Sequence, residues 1–264
     1  MAAELDHVVM LLPYELLKAP PSWITDNFFL SPGGTHADQK TENRLVLFKD
    51  GTYLELIAFI NDDPVKRKGH WWDKPYGVVD FAFTTKDEKF PTLPAIRRGL
   101  SETGTDISYS DPQEGGRLTP DGVELQWRVT FPTNIERGNV PFWCHDLTPR
   151  QRRVAITPEN TTHPCGALGM AGVRLRKAGS VSGLAKAFSA ILDSSLSDDG
   201  HYEIRVPHAS STEKPSIRIQ AEPDGNHGKS DPSLALVIRT SLQVPDIHQH
   251  IHDGVASILF EQAT

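Results

Sequence analysis

The stretch Leu5-Asp6-His7-Val8-Val9-Met10-Leu11-Leu12 predicts a buried first strand with a histidine in its middle. A second stretch of the same kind, Tyr53-Leu54-Glu55-Leu56-Ile57-Ala58, holds one carboxylate. Side chains alternate between the two faces of a strand, so each ionisable group shares a face with apolar neighbours. A buried carboxylate is costly unless a cation, a proton or a hydrogen-bond donor meets it. If the two strands are adjacent and face one cavity, His7 and Glu55 form half of a metal site.

Each of the two residues also has an ordinary explanation. A lone histidine in an apolar strand is more often a satisfied core residue than a ligand, and a lone glutamate can face a sheet edge. The pair indicates a functional site when it is combined with the order of the elements around it.

Composition and charge limit the classes of protein to which the chain can belong. The chain has 264 residues, enough for one large domain or two smaller ones. A net charge of −7 is not typical of a nucleic-acid-binding protein. No apolar stretch reaches the length of a membrane span, and the N-terminus lacks the pattern of a signal peptide. Cys144 and Cys165 form neither a disulfide framework nor a zinc cluster by themselves. We therefore expect a cytoplasmic protein without a nucleic-acid or membrane partner.

The predicted elements repeat in the order strand, helix, strand, strand, strand. Pro20 and Pro21 break the first helix, and Asp50-Gly51 is a hairpin signal. The segment 31–36 is rich in glycine and is predicted as a loop at the cavity mouth. A polar, proline-containing segment, 151–166, separates the second unit from the third. The predicted strands are 5–12, 28–30, 43–48 and 53–60, then 77–83, 123–131 and 140–147, then 172–177, 201–206, 216–221 and 234–242, with helices at 94–103, 184–192 and 246–262.

These repeated units resemble the vicinal oxygen chelate superfamily, which includes glyoxalase I, bleomycin-resistance proteins and extradiol dioxygenases. Residues 1–150 are more specifically similar to the glyoxalase-like domain family, whereas the C-terminal hundred residues match by element order alone. The matching motifs are Leu5-Asp6-His7-Val8-Val9, Gly33-Gly34-Thr35-His36 with Thr41 and Asn43, Tyr53-Leu54-Glu55-Leu56, Thr119-Pro120-Asp121-Gly122, Leu125-Gln126-Trp127-Arg128 and Val140-Pro141-Phe142-Trp143.

The resemblance implies an α+β fold built of repeated βαβββ units. The first two units are expected to form a half-open mixed β-barrel, followed by a third βαβββ-like unit and a C-terminal helix. The expected domains are a glyoxalase-like domain over 1–150, a linker over 151–166, and the third unit with its helix over 167–264. The apolar run 234–238 implies burial on both faces, so either the tail helix or a second copy in a two-fold homodimer is expected to cover it.

The resemblance also implies a metal site, because the superfamily takes its ligands from the first and fourth strands of each unit. His7 and Glu55 occupy those strands in the first unit. The second unit departs from the pattern and offers Asp80 on its first strand or His145 on its fourth, of which His145 is preferred. The third unit offers no ligand at these places. The implied cofactor is a divalent metal ion. Nitrogen and oxygen ligands suit Zn, Ni, Fe, Mn and Co alike, so the metal is not identified by them.

These residues favour an enzyme that acts on a small, oxygen-rich organic molecule through lyase, isomerase or related Lewis-acid chemistry. His36 is the candidate general acid or base, because imidazole titrates near neutral pH. The alternative is a non-catalytic small-molecule-binding protein with the same barrel fold. The candidate substrate-binding residues are Trp127 and Trp143 as apolar walls and Arg128 and Asn43 as polar contacts.

Overall fold

The computed structural model describes residues 3–86, 90, 92–208, 214–222 and 233–263. These residues form one mixed sheet of 14 strands, a separate two-stranded sheet and short helices. This combination of elements confirms the predicted α+β class. None of the described helices is both long and apolar enough to cross a membrane.

The first unit follows the predicted order, with one strand displaced. Strand β1 is buried along its whole length, and Pro20-Pro21 separates two short helices as predicted. The second strand lies at Ser31–His36 and not at 28–30, so the predicted glycine loop is itself a strand. The elements are β1 Glu4–Leu11, α1 Tyr14–Lys18, α2 Ser22–Thr25, β2 Ser31–His36, β3 Thr41–Leu47, β4 Tyr53–Phe59, a 3₁₀ turn at Ile60–Asp62 and α3 Pro64–Arg67.

The second unit repeats this order. Its helix, α4, starts with a proline in its first turn and turns its apolar side to the core. The elements are β5 Gly77–Thr84, α4 Leu93–Glu102, β6 Ser108–Tyr109, β7 Gln113–Leu118, β8 Glu124–Thr130, β9 Pro132–Thr133, β10 Phe142–Asp146 and α5 Arg150–Arg153. Strands β6 and β9 form the separate two-stranded sheet.

The two units close into an eight-stranded barrel, which corrects the expected half-open one. The strand order is β1-β4-β3-β2-β7-β8-β10-β5, and β5 returns to pair with β1. The second seam forms where β2 pairs with β7. Glycine permits this seam, because a Cβ on Gly34 would lie 2.1 Å from the carbonyl oxygen of Leu118.

The C-terminal part continues the sheet. Its elements are β11 Ala167–Ala178, α6 Ser182–Leu192, β12 His201–Glu203, β13 Ser216–Glu222 and β14 Leu234–Thr240. This is the predicted βαβββ order. Strand β11 pairs in parallel with β13 and antiparallel with β14, as β1 pairs with β4 and β5.

The predicted tail helix over 246–262 is wrong. Strands β15 Ile247–Ile251 and β16 Gly254–Gln262 form a hairpin, and β16 pairs in parallel with β14. The apolar positions of the tail fit a helical period, but in Ile247–Ile251 more buried side chains alternate with exposed ones, as in a strand. The turn at His252-Asp253 before Gly254 decides the outcome, since His252 has a φ of 49°. Strands β14, β15 and β16 therefore repeat the arrangement of β11, β12 and β13.

One hydrophobic core joins the outside of the barrel to the C-terminal strands. Helices α4 and α6 pack between them, and the stacked rings of Phe81 and Phe188 lie 6.5 Å apart. A second, smaller apolar cluster lies inside the barrel. The barrel interior is the place where the polar residues of β1 and β4 meet.

Candidate active site

A cavity of about 920 Å³, including its open mouth, lies inside the barrel. Aromatic side chains form much of its wall, among them Trp72, Trp127, Phe131 and Phe142. The polar residues His7, His36, Asn43, Glu55 and Arg117 also line it. A mostly apolar cavity with a few convergent polar groups is typical of a small-molecule site.

A β-bulge positions His7. The pairing of β1 with β5 shifts register between Leu5 and His7, which leaves Asp6 as an extra residue on β1. Such a bulge re-aims the side chains beside it. The carboxylate of Asp6 thereby lies 2.6 Å from Nδ1 of its own neighbour, His7. Because a carboxylate only accepts, Nδ1–H donates and the lone pair of Nε2 faces the cavity.

Two arginines hold Asp6 in its charged form. Arg153 donates to both oxygens of the Asp6 carboxylate, and Arg150 donates to Oδ1. Burial alone raises the pKa of Asp6, but the two guanidinium groups outweigh it and hold the pKa well below its usual value. The ring of Tyr53 stacks on His7 at 4.6 Å and completes its fixed position.

Glu55 lies between two histidines. Its Oε2 is 3.7 Å from Nε2 of His7, and its Oε1 is 3.5 Å from Nε2 of His36. Asn43 donates from Nδ2 to Oε1 at 2.6 Å. The two imidazoles thus approach different oxygens of one carboxylate.

His36 is held in place at the end of β2. Its Nδ1 lies 2.7 Å from Oγ1 of Thr41, and its side chain is 14% exposed. This corrects the expectation of a flexible loop residue. Burial lowers the pKa of His36, and Glu55 only partly opposes that effect. The imidazole is therefore neutral near pH 7 and able to accept a proton.

Gly33 of β2 makes room for Asn43, and Gly34 binds its side chain. A Cβ on Gly33 would lie 2.2 Å from Oδ1 of Asn43, and the N–H of Gly34 donates to that oxygen at 2.9 Å. Fixing Oδ1 in this way orients the amide nitrogen toward Glu55. The Gly-Gly pair thus serves close approach rather than mobility.

The donor set fits a metal ion held by two side chains. When a neutral His7 donates from Nδ1 to Asp6, its Nε2 and Oε2 of Glu55 are both acceptors, and a cation between them would relieve their contact. Ligand atoms on a tetrahedral zinc ion are about 3.4 Å apart, close to their separation here. Among the described residues, no group of three or more His, Cys, Asp or Glu side chains is arranged to hold a metal. Such an ion would have its remaining positions open to water or substrate.

The second unit does not supply the missing ligands. Val9 pairs with Asp80 as His7 pairs with Ala82, so the internal two-fold relation places Asp80 at the position of His7. Ala82 pairs with Phe142 as Val9 pairs with Glu55, which makes Phe142 the counterpart of Glu55. Asp80 is already bound by Arg137 and by Nε1 of Trp72, and Phe142 has no donor atom.

Three predicted site residues lie outside the cavity. His145 and Trp143 face away from it, because Phe142 and Cys144 take the inward positions on β10. His145 lies 3.1 Å from Oγ1 of Thr85, and Trp143 is buried in the outer core. Arg128 points outward on β8 and lies 3.7 Å from Glu114. Alternation along each strand explains these corrections, because neighbouring positions lie on opposite faces.

The site also involves residues that the sequence did not single out, some in the cavity wall and one, Asp6, behind His7. Asp6 precedes His7, and a charged residue inside an apolar strand was the available signal. Arg117 follows a Gly-Gly pair at 115–116. Cys144 is buried, and burial raises the pKa of its thiol, which keeps it protonated. Of the predicted substrate-binding residues, Asn43 and Trp127 line the cavity, with the Trp127 ring 6.0 Å from His36.

Comparison with known proteins agrees with this fold. The profile of the glyoxalase-like domain family matches residues 5–191. A hypothetical protein from Staphylococcus aureus matches 99% of this chain and 100% of its own, with a TM-score of 0.67 and 14% identity. A mutant of 4-hydroxymandelate synthase from Streptomyces coelicolor matches 99% of this chain and 93% of its own, with a TM-score of 0.50 and 10% identity. Methylmalonyl-CoA epimerase from Mycobacterium tuberculosis matches 56% of this chain and 91% of its own, with a TM-score of 0.36 and 18% identity. None of the curated protein sequences matches the chain.

The family match spans well over half of the chain, so the chain belongs to the glyoxalase-like domain family. The two structural neighbours that match nearly the whole chain share its fold. The resemblance drawn from the sequence motifs is confirmed.

Proposed function

We propose that the chain is an enzyme that moves a proton on a small, oxygen-rich organic molecule, as lyases and isomerases do. The observation that carries this proposal is the approach of His7 Nε2 and His36 Nε2 to the two oxygens of the Glu55 carboxylate. Proton transfer needs a base and a nearby group that stabilises the charge it acquires. His36 and Glu55 can serve as this base and this group, and the fixed imidazole of His7 faces the same apolar cavity.

His36 is the proposed base. Its neutral Nε2 takes a proton from a carbon next to a carbonyl group, and the electron pair of that C–H bond moves to the carbonyl oxygen. Glu55, 3.5 Å away, stabilises the imidazolium that forms. Return of the proton to the same or a neighbouring carbon completes an isomerisation, whereas loss of a leaving group completes a lyase reaction.

His7 and Glu55 are the proposed holders of a divalent metal ion. Asp6 keeps the lone pair of His7 Nε2 directed into the cavity, and Asn43 keeps the Glu55 carboxylate in place. When bound, the ion would supply Lewis-acid polarisation of the substrate oxygens. Zn, Ni, Fe, Mn and Co all suit nitrogen and oxygen ligands.

Calorimetric titration with Zn²⁺ and Mn²⁺ tests the metal. Wild-type protein is expected to bind one ion, and His7→Ala and Glu55→Gln to weaken binding at least tenfold. Glu261→Gln is the matched control, because Glu261 lies on β16 with its side chain half exposed. No binding by wild type, or equal binding by all four proteins, contradicts the metal site.

A second candidate function is small-molecule binding without catalysis. The observation that favours it is the loss of both ligand positions in the second unit, where Asp80 is ion-paired and Phe142 is apolar. Proton NMR of wild-type protein mixed with 2-oxo acids and hydroxy ketones, with and without Zn²⁺, separates the two. Product formation supports the enzyme, and ligands that bind unchanged support the binding protein.

We also propose a cytoplasmic location. Cys144 and Cys165 are both free and buried, as expected where thiols are kept reduced. Fractionation of the source cells checks this, and recovery of the protein outside the cytoplasm contradicts it.

A further inference from the structure

Arg117 is a buried cation in the cavity wall. It lies on β7 directly opposite His36, across the seam that closes the barrel, and is 5% exposed. Its Nη1 donates to the carbonyl oxygen of Gly33 at 2.7 Å. A guanidinium group carries five N–H donors, so one carbonyl partner leaves most of them for another ligand.

Arg117 differs in this respect from the other buried arginines near the barrel. Arg153 is paired with Asp6 and Asp146, and Arg137 with Asp80. In the described ranges, no ion pair joins Arg117 to a carboxylate, and Glu55 acts on it only at longer range. Burial lowers the pKa of Arg117, which reflects the cost of a desolvated charge that forms no ion pair.

We propose that Arg117 binds a carboxylate of the substrate, so that the site acts on a carboxylic acid with an apolar or aromatic remainder. This inference rests on the proposed function and names its substrate class. The apolar remainder follows from the walls, where Trp127, Phe131 and Phe142 face the same space. The carboxylate on Arg117 places the rest of the molecule beside His36, the residue opposite Arg117 in the seam.

A carboxylate suits this cavity better than a phosphate. The planar edge of a guanidinium group matches the two oxygens of a carboxylate. The cavity already contains Glu55, and Asp38 and Glu114 also line it. A phosphate dianion would be repelled by this negative charge, and one unpaired arginine would balance half of its own charge. The single charge of a carboxylate is balanced by that arginine.

Binding of three matched probes tests the proposal. Phenylacetate, phenylacetamide and phenyl phosphate share one ring and differ in charge, and ligand-observed NMR gives their dissociation constants. Wild-type protein is expected to bind phenylacetate at least tenfold more tightly than phenylacetamide. Arg117→Met is expected to abolish this preference. Arg174→Met, a change on β11 outside the barrel, is expected to leave it unchanged.

One further variant keeps the test decisive. Arg117→Lys retains the charge without the planar fork and is expected to keep part of the preference, even if Arg117→Met fails to fold. Equal binding of acid and amide by wild type, or an unchanged preference in a folded Arg117→Met, overturns the proposal. A preference for phenyl phosphate overturns it in favour of a phosphate ligand.

Glu55→Gln separates this proposal from the proposed function. Because it removes a negative charge from the cavity, it is expected to keep or increase the preference for phenylacetate while turnover is lost. A wild-type protein that shows the preference and no turnover contradicts the enzyme and leaves the carboxylate site standing.

Discussion

At the scale of single residues, Asp6 determines how His7 is presented. Its carboxylate is fully buried and forms ion pairs with Arg150 and Arg153. The sequence predicted His7 as a site residue but could not show this contact, because residues adjacent in a regular strand point to opposite faces. Only the bulge, which depends on the pairing with β5, brings the two side chains together.

Replacing Asp6 is expected to destabilise the fold. Asp6→Asn leaves two buried guanidinium groups short of a carboxylate, which should lower the free energy of unfolding by about 3–5 kcal/mol at pH 7. Asp111→Asn is the control, because Asp111 is exposed and pairs with Arg97 at the surface, where such a pair contributes about 0–1 kcal/mol. Urea unfolding measures both, and equal losses would contradict the structural role of Asp6.

Asp6 is also expected to make the free energy of unfolding fall at low pH. The folded pKa of Asp6 is lower than its unfolded value of about 3.9, so its contribution is complete above that value. The contribution is lost as the pH falls from there through the folded pKa. Urea unfolding between pH 5 and pH 3 should therefore show a shallower loss of stability in Asp6→Asn. An identical slope in both proteins would contradict the low pKa.

The pKa of His36 is expected to respond to Glu55 and to Arg117 in opposite directions. It should lie below 6.5 in wild type, fall further in Glu55→Gln, and rise in Arg117→Met. Since the folded protein holds His36 neutral where the unfolded chain is protonated, this residue lowers stability as the pH falls below about 6.5. NMR titration of the His36 ring measures these values. A shift in the same direction in both variants would contradict the placement of the charges.

At the scale of elements, the sequence predicted strands best where apolar residues are continuous or alternate. Strands β1 and β4 were located within a residue or two, since each is an apolar run bounded by turns. Strand β2 was missed because Pro32, Gly33 and Gly34 are typical of loops. Gly33 is explained by Asn43 of β3, which would clash with a Cβ there, and Gly34 by Leu118 of β7. These contacts depend on other strands and cannot be read from the local sequence.

The glycine requirement gives a prediction for β2. Gly33→Ala would place a methyl group against Asn43 and should lower stability by about 1–3 kcal/mol, as overpacking does. The matched change is Gly183→Ala in helix α6, where the added methyl group meets only Thr105 at 3.9 Å. It should be neutral or stabilising by up to about 1 kcal/mol. Thermal unfolding of both variants checks this, and a neutral Gly33→Ala would contradict the close approach.

At the scale of the whole molecule, the sequence indicated the repeat but not its last step. The tail was taken for a helix because Ile247, Ile251, Val255, Ile258 and Leu259 fit a helical period. Its strands extend the sheet beside β14, where Leu236 and Ile238 on one face and Ala235 and Val237 on the other are buried within one chain. The reason for expecting a second copy there is thereby removed. The homodimer itself stays a prediction, which light scattering at micromolar concentration checks.

The shared core predicts that the two parts of the chain fold together. The boundary between 1–150 and 167–264 follows element order, whereas the core runs across it. A fragment that ends at residue 166 would expose the face that Phe188 covers on Phe81. We expect this fragment to lack the cooperative thermal transition of the full chain. A fragment that unfolds cooperatively at the same temperature would contradict the shared core.

The central claim is that the cluster of His7, His36 and Glu55 transfers protons. It is tested most directly by deuterium exchange into 2-oxo carboxylic acids in D₂O, followed by proton NMR with Zn²⁺ and with Mn²⁺ present. Wild-type protein and His250→Gln, a change at an exposed histidine of β15, are expected to exchange the proton next to the carbonyl group at equal rates. His36→Gln is expected to slow the exchange at least 100-fold. No exchange by wild type above the protein-free rate, or an unchanged rate in His36→Gln, would contradict the claim.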